Sequence, residues 1–326
     1  MILAGDIGGT HARLALFGVS GGQYVPVSLT VFPSHDYPSL DAIARRFVET
    51  TKINPETVCF GIAGPVVNGR VEATNLPWIV DARSLANELR IPNAMLINDL
   101  EANAWGIPAL TAKDLVPLNH AGILSGNQAV ISAGTGLGEA GIYWDGLKFH
   151  VFACEGGHSD FAPGNELEVE LLQYLAKKFG HVSNERVLSG PGLVNIFDFL
   201  RDSKRGAAPE WLLEEMQKSD PAAAISRAAT EGKCKLAGEA LHIFASIYGA
   251  EAGNLALKLL AIGGVFVGGG IAPRIISQLA KTPTFMQAFV AKGRMQPLME
   301  KIPVKVIVND ETALLGAARY AALNSR

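Results

Sequence analysis

Two stretches of this sequence follow one plan, and that plan limits what the chain can fold into. "MILAGDIGGTHARLALF" at the start and "QAVISAGTGLGEAGIYW" from Gln128 each read as an apolar strand, a glycine and threonine turn, and a second apolar strand. A hairpin that only reversed the chain would carry Asn-Gly at the turn, since primed two-residue turns match the twist of the flanking strands. Asn68-Gly69 has that form; the two repeated turns do not.

Successive glycines let several backbone N–H groups converge on one anion, and a hydroxyl beside them adds a donor. Gly8-Gly9-Thr10 and Gly134-Thr135-Gly136 therefore suit phosphate. The alternative is that each is a tight hairpin whose glycines merely adopt positive φ. A carboxylate beside the first nest would repel phosphate unless a divalent cation lay between them. Asp6 thus points to Mg²⁺, bound directly or through water. Neither turn is a GxxxxGK[ST] loop, and the strand after Gly8 continues as β, which excludes the dinucleotide fingerprint.

A chain of 326 residues exceeds one ordinary core and implies roughly two domains. Hydrophobic residues at 48%, charged residues at 18% and 35 glycines describe a well-buried protein with many tight turns. The formal charge of -3, without any Lys/Arg run, argues against a nucleic-acid partner and for a small molecule. Cys59, Cys154 and Cys234 lie far apart with no CxxC, so neither a disulfide framework nor a thiolate zinc site is indicated, and a reducing, cytoplasmic compartment is expected. No basic n-region precedes Asp6, so no signal peptide is expected. The window "LALKLLAIGGVFVGGGIAP" contains Lys258 and five glycines and reads as a helix end, a strand and a loop, not a membrane span.

Between the repeated hairpins, "YVPVSLTVF" and "TVCFGIAGPVVNGRVEAT" read as strands, and "SLDAIARRFVETT" as a sheet-covering helix with Ser39 as N-cap. "DARSLANELR" reads as a second helix. Beyond residue 160 the periodicity predicts helices from Glu166 to Phe179, Pro191 to Arg201, Trp211 to Lys218 and Lys235 to Leu260. A third strand, "GGVFVGGGIAP", and a closing strand and Ala-rich helix follow.

In "AMLINDLEANAWG" a buried strand ends at Asn98-Asp99 and passes into a helix, the place from which open α/β sheets present ligand-binding residues. Asp99 either N-caps that helix or accepts the proton of an alcohol attacking phosphorus, and one carboxylate can do both. "CEGGHSDFAPGNELE" and "VSNERVLSGPG" supply Glu155, His158 and Glu185, residue types that engage vicinal hydroxyls of a polyol. Ordinary surface glutamates and a structural histidine are the alternative.

Taken in order, "GDIGGTHARLAL", "GIAGPV", "INDLEANAWG", "SAGTGLGEA", "EGGHSDFAP", "NERVLSGPGL", "FVGGGIAPR" and "VNDETALLGAARYA" resemble the bacterial glucokinase family of the hexokinase and actin-like ATPase superfamily, over essentially the whole chain. The resemblance implies an α/β, ribonuclease-H-like two-domain fold with a ligand cleft between the domains. It places residues 1–109 and 301–326 in a smaller domain and 110–300 in a larger one. It implies ATP held by Gly8, Gly9 and Thr10 and by Gly134, Thr135 and Gly136, with Gly268, Gly269 and Gly270 at the adenosine. Sugar contacts carry over to Asn98, Asp99, Glu155, His158 and Glu185, with Asp99 as general base for the 6-hydroxyl of D-glucose. A related sugar-kinase branch adds a Cys-rich zinc motif beyond its ExGH histidine. This chain has no such cluster, so no zinc is expected and His158 is assigned to sugar. The expected activity is ATP-dependent, Mg²⁺-assisted formation of glucose 6-phosphate, in a homodimer as in many family members. Phosphorylation of fructose, mannose or N-acetylglucosamine is the alternative. A nucleotide switch would not need Glu155, His158 and Glu185, and a sugar-sensing repressor would need a helix-turn-helix for which the residues before Asp6 leave no room.

Overall fold

Strand β1 (Ile2–Ile7) turns back onto β2 (His11–Ser20), with Ile7 opposite Ala12, and β2 pairs antiparallel with β3 (Gln23–Pro33). The computed structural model describes residues 1–74, 76–122 and 124–325, so residue 326 of the expected C-terminal segment lies outside the described residues. Helix α1 (Leu40–Thr51) begins at Ser39, whose Oγ accepts the Ala42 N–H at 3.3 Å, and ends at Lys52 in a left-handed conformation, φ 56°. Strand β4 (Thr57–Ile62) then joins β1 in parallel.

Asn68 and Gly69, at φ 52° and 73°, make the primed turn that the sequence indicates, closed by a Val67–Arg70 bridge. The strand after it, β5 (Arg70–Glu72), pairs with β6 (Ile79–Asp81) as a separate ribbon and not with β4. Asp81 caps α2 (Ala82–Leu89), and β7 (Ala94–Asn98) completes a five-stranded sheet in the order β3-β2-β1-β4-β7 before the chain enters α3 (Asp99–Gly106).

The second hairpin repeats this layout. After β8 (Leu115–Pro117), strands β9 (Gln128–Ala133), β10 (Leu137–Trp144) and β11 (Phe149–Cys154) run in sequence. Later strands β12 (Gly264–Gly268) and β13 (Val304–Ile307) extend the sheet in parallel from β9, giving the order β11-β10-β9-β12-β13-β8. In both sheets the first strand pairs antiparallel with the second and parallel with the fourth in its series. Among the helices, α4 (Glu166–Phe179), α5 (Gly190–Asp202), α6 (Glu210–Lys218) and α8 (Lys235–Leu259) stand where the periodicity puts them. Four others do not follow from it: α7 (Pro221–Thr230), α9 (Ile276–Lys281), α10 (Thr284–Val290) and α11 (Gln296–Met299). The chain ends in α12 (Thr312–Asn324). No helix among the described residues is long and apolar enough to cross a membrane.

These elements form two compact units, Met1–Asp114 with Val151–Ala153 and Asn309–Arg326, and Leu115–His150 with Cys154–Val308. The division falls at 114/115 and 308/309, where the sequence reading has 109/110 and 300/301. The physical reason at the later boundary is that β13 pairs with β12, Val304 opposite Val265, and so belongs to the larger unit's sheet. In the smaller unit, α1 and α2 cover one face of the sheet through Leu40, Ile43, Phe47 and Leu85. The other face carries Ala102 of α3 and Ala313, Leu314, Ala317 and Ala321 of α12.

Helices α3 and α12 approach so closely that a methyl group on Gly316 would overlap the Ala102 carbonyl, and one on Gly106 the Thr312 carbonyl. Backbone cannot yield as a side-chain tip can. We expect Gly316→Ala to destabilise the protein by about 2–3 kcal/mol, the upper range for overpacking. Denaturant midpoints compared with those of the native chain check this.

Candidate active site

In the smaller unit the first turn spends its carbonyls and saves its N–H groups. Gly8 donates its N–H to the His11 carbonyl at 3.0 Å. The buried Ser34 takes two more carbonyls, donating Oγ–H to Gly8 O at 2.8 Å and N–H to Thr10 O at 2.9 Å. The N–H groups of Gly9 and Thr10 have no acceptor among the described residues. Gly8 itself therefore shapes the turn, and the anion donors left are those of Gly9 and Thr10. Gly8 is not in the left-handed region, so positive φ is not what glycine supplies here.

Asp6 sits on β1 opposite Arg13, whose guanidinium reaches Asp310 at 3.4 Å and its carbonyl at 2.9 Å. Burial pushes the Asp6 carboxyl above its usual range; Arg13 opposes this and Asp310 adds to it. A desolvated carboxylate with a second acid nearby gains from a hard cation, and an oxygen donor set suits Mg²⁺, which keeps waters and takes only one or two carboxylates. Among the described residues no cluster of three or more His, Cys, Asp or Glu forms a ready-made metal cage.

The passage from β7 to α3 places Asn98 and Asp99. Asn98, and not Asp99, is the N-cap: its Oδ1 accepts from Leu100 N at 2.9 Å and Glu101 N at 3.3 Å, while its Nδ2 donates to Gly64 O at 3.2 Å. Asn98 is buried and its carbonyl oxygen is committed to the cap, so its contribution to any ligand is limited to the remaining amide hydrogen. Asp99 is the first helical residue, half-buried, with Oδ1 3.0 Å from Leu100 N.

In the larger unit the second turn repeats the economy of the first. Gly134 N–H donates to Gly136 O, and Gly134 O accepts from Gly190 N at the start of α5, both at 2.8 Å. Thr135 and Gly136 keep unspent N–H groups among the described residues, and a methyl group on Gly134 would meet nothing within 4 Å. A Cβ on Gly136 would lie 2.5 Å from Glu185 Oε2, which also accepts the Leu137 N–H at 3.1 Å. Glu185 is thereby brought to the edge of the turn.

Glu155 and His158 flank a short helical turn, 3.9 Å apart and about half exposed. The Ser159 carbonyl accepts from Asn184 N at 2.9 Å, which ties this turn to the one bearing Glu185. The larger unit thus gathers Glu155, His158, Glu185 and Gly134–Gly136, and the smaller one gathers Asp6, Gly8–Thr10, Asn98 and Asp99. Gly268-Gly269-Gly270 adjoins the second turn: Gly269, at φ 82°, backs directly onto the Ala133 carbonyl, and Gly270 faces open space.

Two residues here carry no motif. Tyr248 of α8 is fully buried, and its hydroxyl lies 3.1 Å from Ala133 N and 3.2 Å from Gly268 O, joining the strand ends beneath both glycine turns. Glu139 of β10 lies beneath Gly156. Only the interruption of an apolar strand by one acid marks it in the sequence.

A family model described as Glucokinase matches residues 3–324. A glucokinase of Nostoc sp. is 45% identical over 340 residues, covering 99% of each chain. Among solved structures, a glucokinase from an Antarctic psychrotroph superposes with a TM-score of 0.85 at 33% identity, covering 99% of each chain. A Balamuthia mandrillaris glucokinase solved with glucose shares the fold, with a TM-score of 0.81 at 22% identity, covering 99% of this chain and 93% of its own.

Burial, and then the nearby charge of Glu251, push Glu139 up to about 7, against the pull of Lys258. Between pH 4.5 and pH 7 the unfolded chain releases this proton while the folded chain keeps it, so stability falls as pH rises through that window and is level above it. The loss is roughly 3 kcal/mol at 1.36 kcal/mol per unit. Glu139→Gln removes the titration. Its melting temperature relative to the native chain should be higher at pH 8 than at pH 5, as thermal scans at the two pH values will show.

Proposed function

The chain belongs to the glucokinase family, and on that premise we infer that it transfers the γ-phosphoryl group of ATP to the 6-hydroxyl of D-glucose, releasing glucose 6-phosphate and ADP. The observation that carries this reading is the pair of hairpins whose N–H groups at Gly9, Thr10, Thr135 and Gly136 are unspent among the described residues. Two nests in one chain suit an oligophosphate better than a single phosphate.

In this reading Gly8–Thr10 and Gly134–Gly136 receive the phosphates, and the open backbone at Gly270, beside the left-handed Gly269, receives the adenosine. Glu155, His158 and Glu185 hold sugar hydroxyls. Asn98 fixes the first turn of α3 and so aims Asp99, and its second amide hydrogen is available to the sugar. As the glucose oxygen bonds to the γ-phosphorus, the bond from that phosphorus to the β-phosphate oxygen breaks. The hydroxyl proton passes to Asp99, and ADP leaves with the electron pair of the broken bond. Asp6 would hold Mg²⁺, directly or through water, which when bound neutralises phosphate charge. The task of the protein is positioning and charge stabilisation, because a loose phosphoryl-transfer transition state needs little covalent help. Free Cys59, Cys154 and Cys234 support a reducing, cytoplasmic setting.

A coupled assay of ADP release tests the substrate assignment. We expect kcat/KM for glucose to exceed that for fructose, mannose and N-acetylglucosamine, with turnover lost when Mg²⁺ is chelated; equal efficiency on another hexose would reassign the substrate. Asp99→Asn keeps size and cannot take the proton, so kcat should fall ~10²-fold or more with a smaller change in glucose affinity. Turnover near that of the native chain would remove Asp99 as the base.

A further inference from the structure

The turn that carries Glu155 and His158 rests on a buried acid. A methyl group on Gly156 would overlap Glu139 Oε2, and one on Gly157 would overlap the Leu137 carbonyl, so the turn lies directly on the start of β10 with the Glu139 carboxyl as part of its floor. Glu139 is 1% exposed, and its Oε1 has no hydrogen-bond partner among the described residues.

The groups facing this carboxyl come from two directions. From α8 come Glu251, Lys258 and the Tyr248 hydroxyl; from β11 comes Cys154, whose thiol donates to the Glu139 carbonyl at 3.4 Å. Glu251 is also buried, and it accepts from Asn254 at 2.8 Å and from the Lys258 ammonium at 3.4 Å. Lys292 is occupied elsewhere, donating to Ala250 O at 2.9 Å and to Asn254 Oδ1 at 2.6 Å. Two buried carboxylates thus share one half-exposed ammonium, and that ammonium is bonded to Glu251. A buried anion without donors is costly, so the odd carboxyl keeps its proton or draws in a donor by displacing what lies above it.

We propose that Glu139 is a positioning residue for the Glu155–His158 turn, and that glucose binding is coupled to proton uptake by this buried carboxyl. The inference rests on the reading that this turn holds the sugar. When Glu139 is neutral, the floor is uncharged and the turn keeps the geometry described. When it ionises, a negative charge enters the floor of the turn with no donor to its Oε1 among the described residues, and the turn shifts. Linkage then works both ways: rising pH weakens glucose, and glucose raises the proton affinity of Glu139.

Calorimetric titration of the full chain with glucose, in two buffers of different ionisation enthalpy at pH 6, 7 and 8, reads the coupling directly. The native chain should take up protons, most near pH 7, and lose ~5-fold in glucose affinity from pH 6 to pH 8, the low end of typical couplings. Glu139→Gln should abolish this component and hold the affinity at its low-pH level; proton uptake from any other group would persist in it. Glu251→Gln leaves Glu139 in place and removes its negative neighbour, so the uptake should move to lower pH, which keeps the test open should Glu139→Gln fold poorly. Uptake unchanged in Glu139→Gln, or undisplaced in Glu251→Gln, overturns the coupling. Glu155→Gln separates the two readings: undiminished glucose affinity in that variant overturns the sugar site itself, whereas lost affinity there with an unaltered Glu139→Gln profile overturns only the role of Glu139.

Discussion

Backbone hydrogen bonding at the head of each sheet is the constraint from which the rest follows. A hairpin must satisfy its polar groups, and buried ones above all. Here the carbonyls are satisfied first: Ser34 takes Gly8 and Thr10 in one unit, and Gly190 takes Gly134 in the other. What remains among the described residues is a set of N–H groups without a protein acceptor, those of Gly9, Thr10, Thr135 and Gly136. The sequence cost is small, a serine and a few glycines. Such a turn is nonetheless stable only because a sheet, two covering layers of helix and, in the larger unit, the Tyr248 hydroxyl hold the strand ends in register.

The same logic distributes roles among side chains that look alike in the sequence. Asn98 and Asp99 are adjacent, yet one is absorbed into a helix cap and the other stands at the first turn with its carboxylate toward the helix start. Glu185 and Glu139 are both acids of the larger unit. Glu185 is anchored by the Leu137 N–H, and Glu139 has one oxygen without a partner among the described residues. Chemistry is set less by residue type than by what each neighbour has already consumed.

Features fixed by local physics were legible in the sequence. The Ser39 cap, the Asn68-Gly69 turn, the twin hairpins and the strand-to-helix passage at residue 98 depend on neighbours within a few positions, and the structure has them all. Helices α7, α9, α10 and α11 escaped because they are short or Ala-rich, with apolar faces set by the large buried core of their unit. The spent N–H of Gly8 depends on how the turn closes, and the floor role of Glu139 on a glycine seventeen positions away in the chain, neither of which periodicity encodes.

The glycine contact between α3 and α12 has a consequence for the order in which the smaller unit can be built. Ala4, Ala15, Phe17 and Cys59 line a face covered by Ala313, Leu314, Ala317 and Ala318, and the Arg319 guanidinium donates to a Trp105 carbonyl 214 residues earlier. During synthesis that face must wait, covered only by α3, while the whole larger unit is translated. A nascent chain halted before residue 312 would hold a five-stranded sheet with one apolar side covered by α3 alone, the state in which chaperones and aggregation compete for a chain. Helix α12, made after the larger unit, therefore completes a sheet made before it.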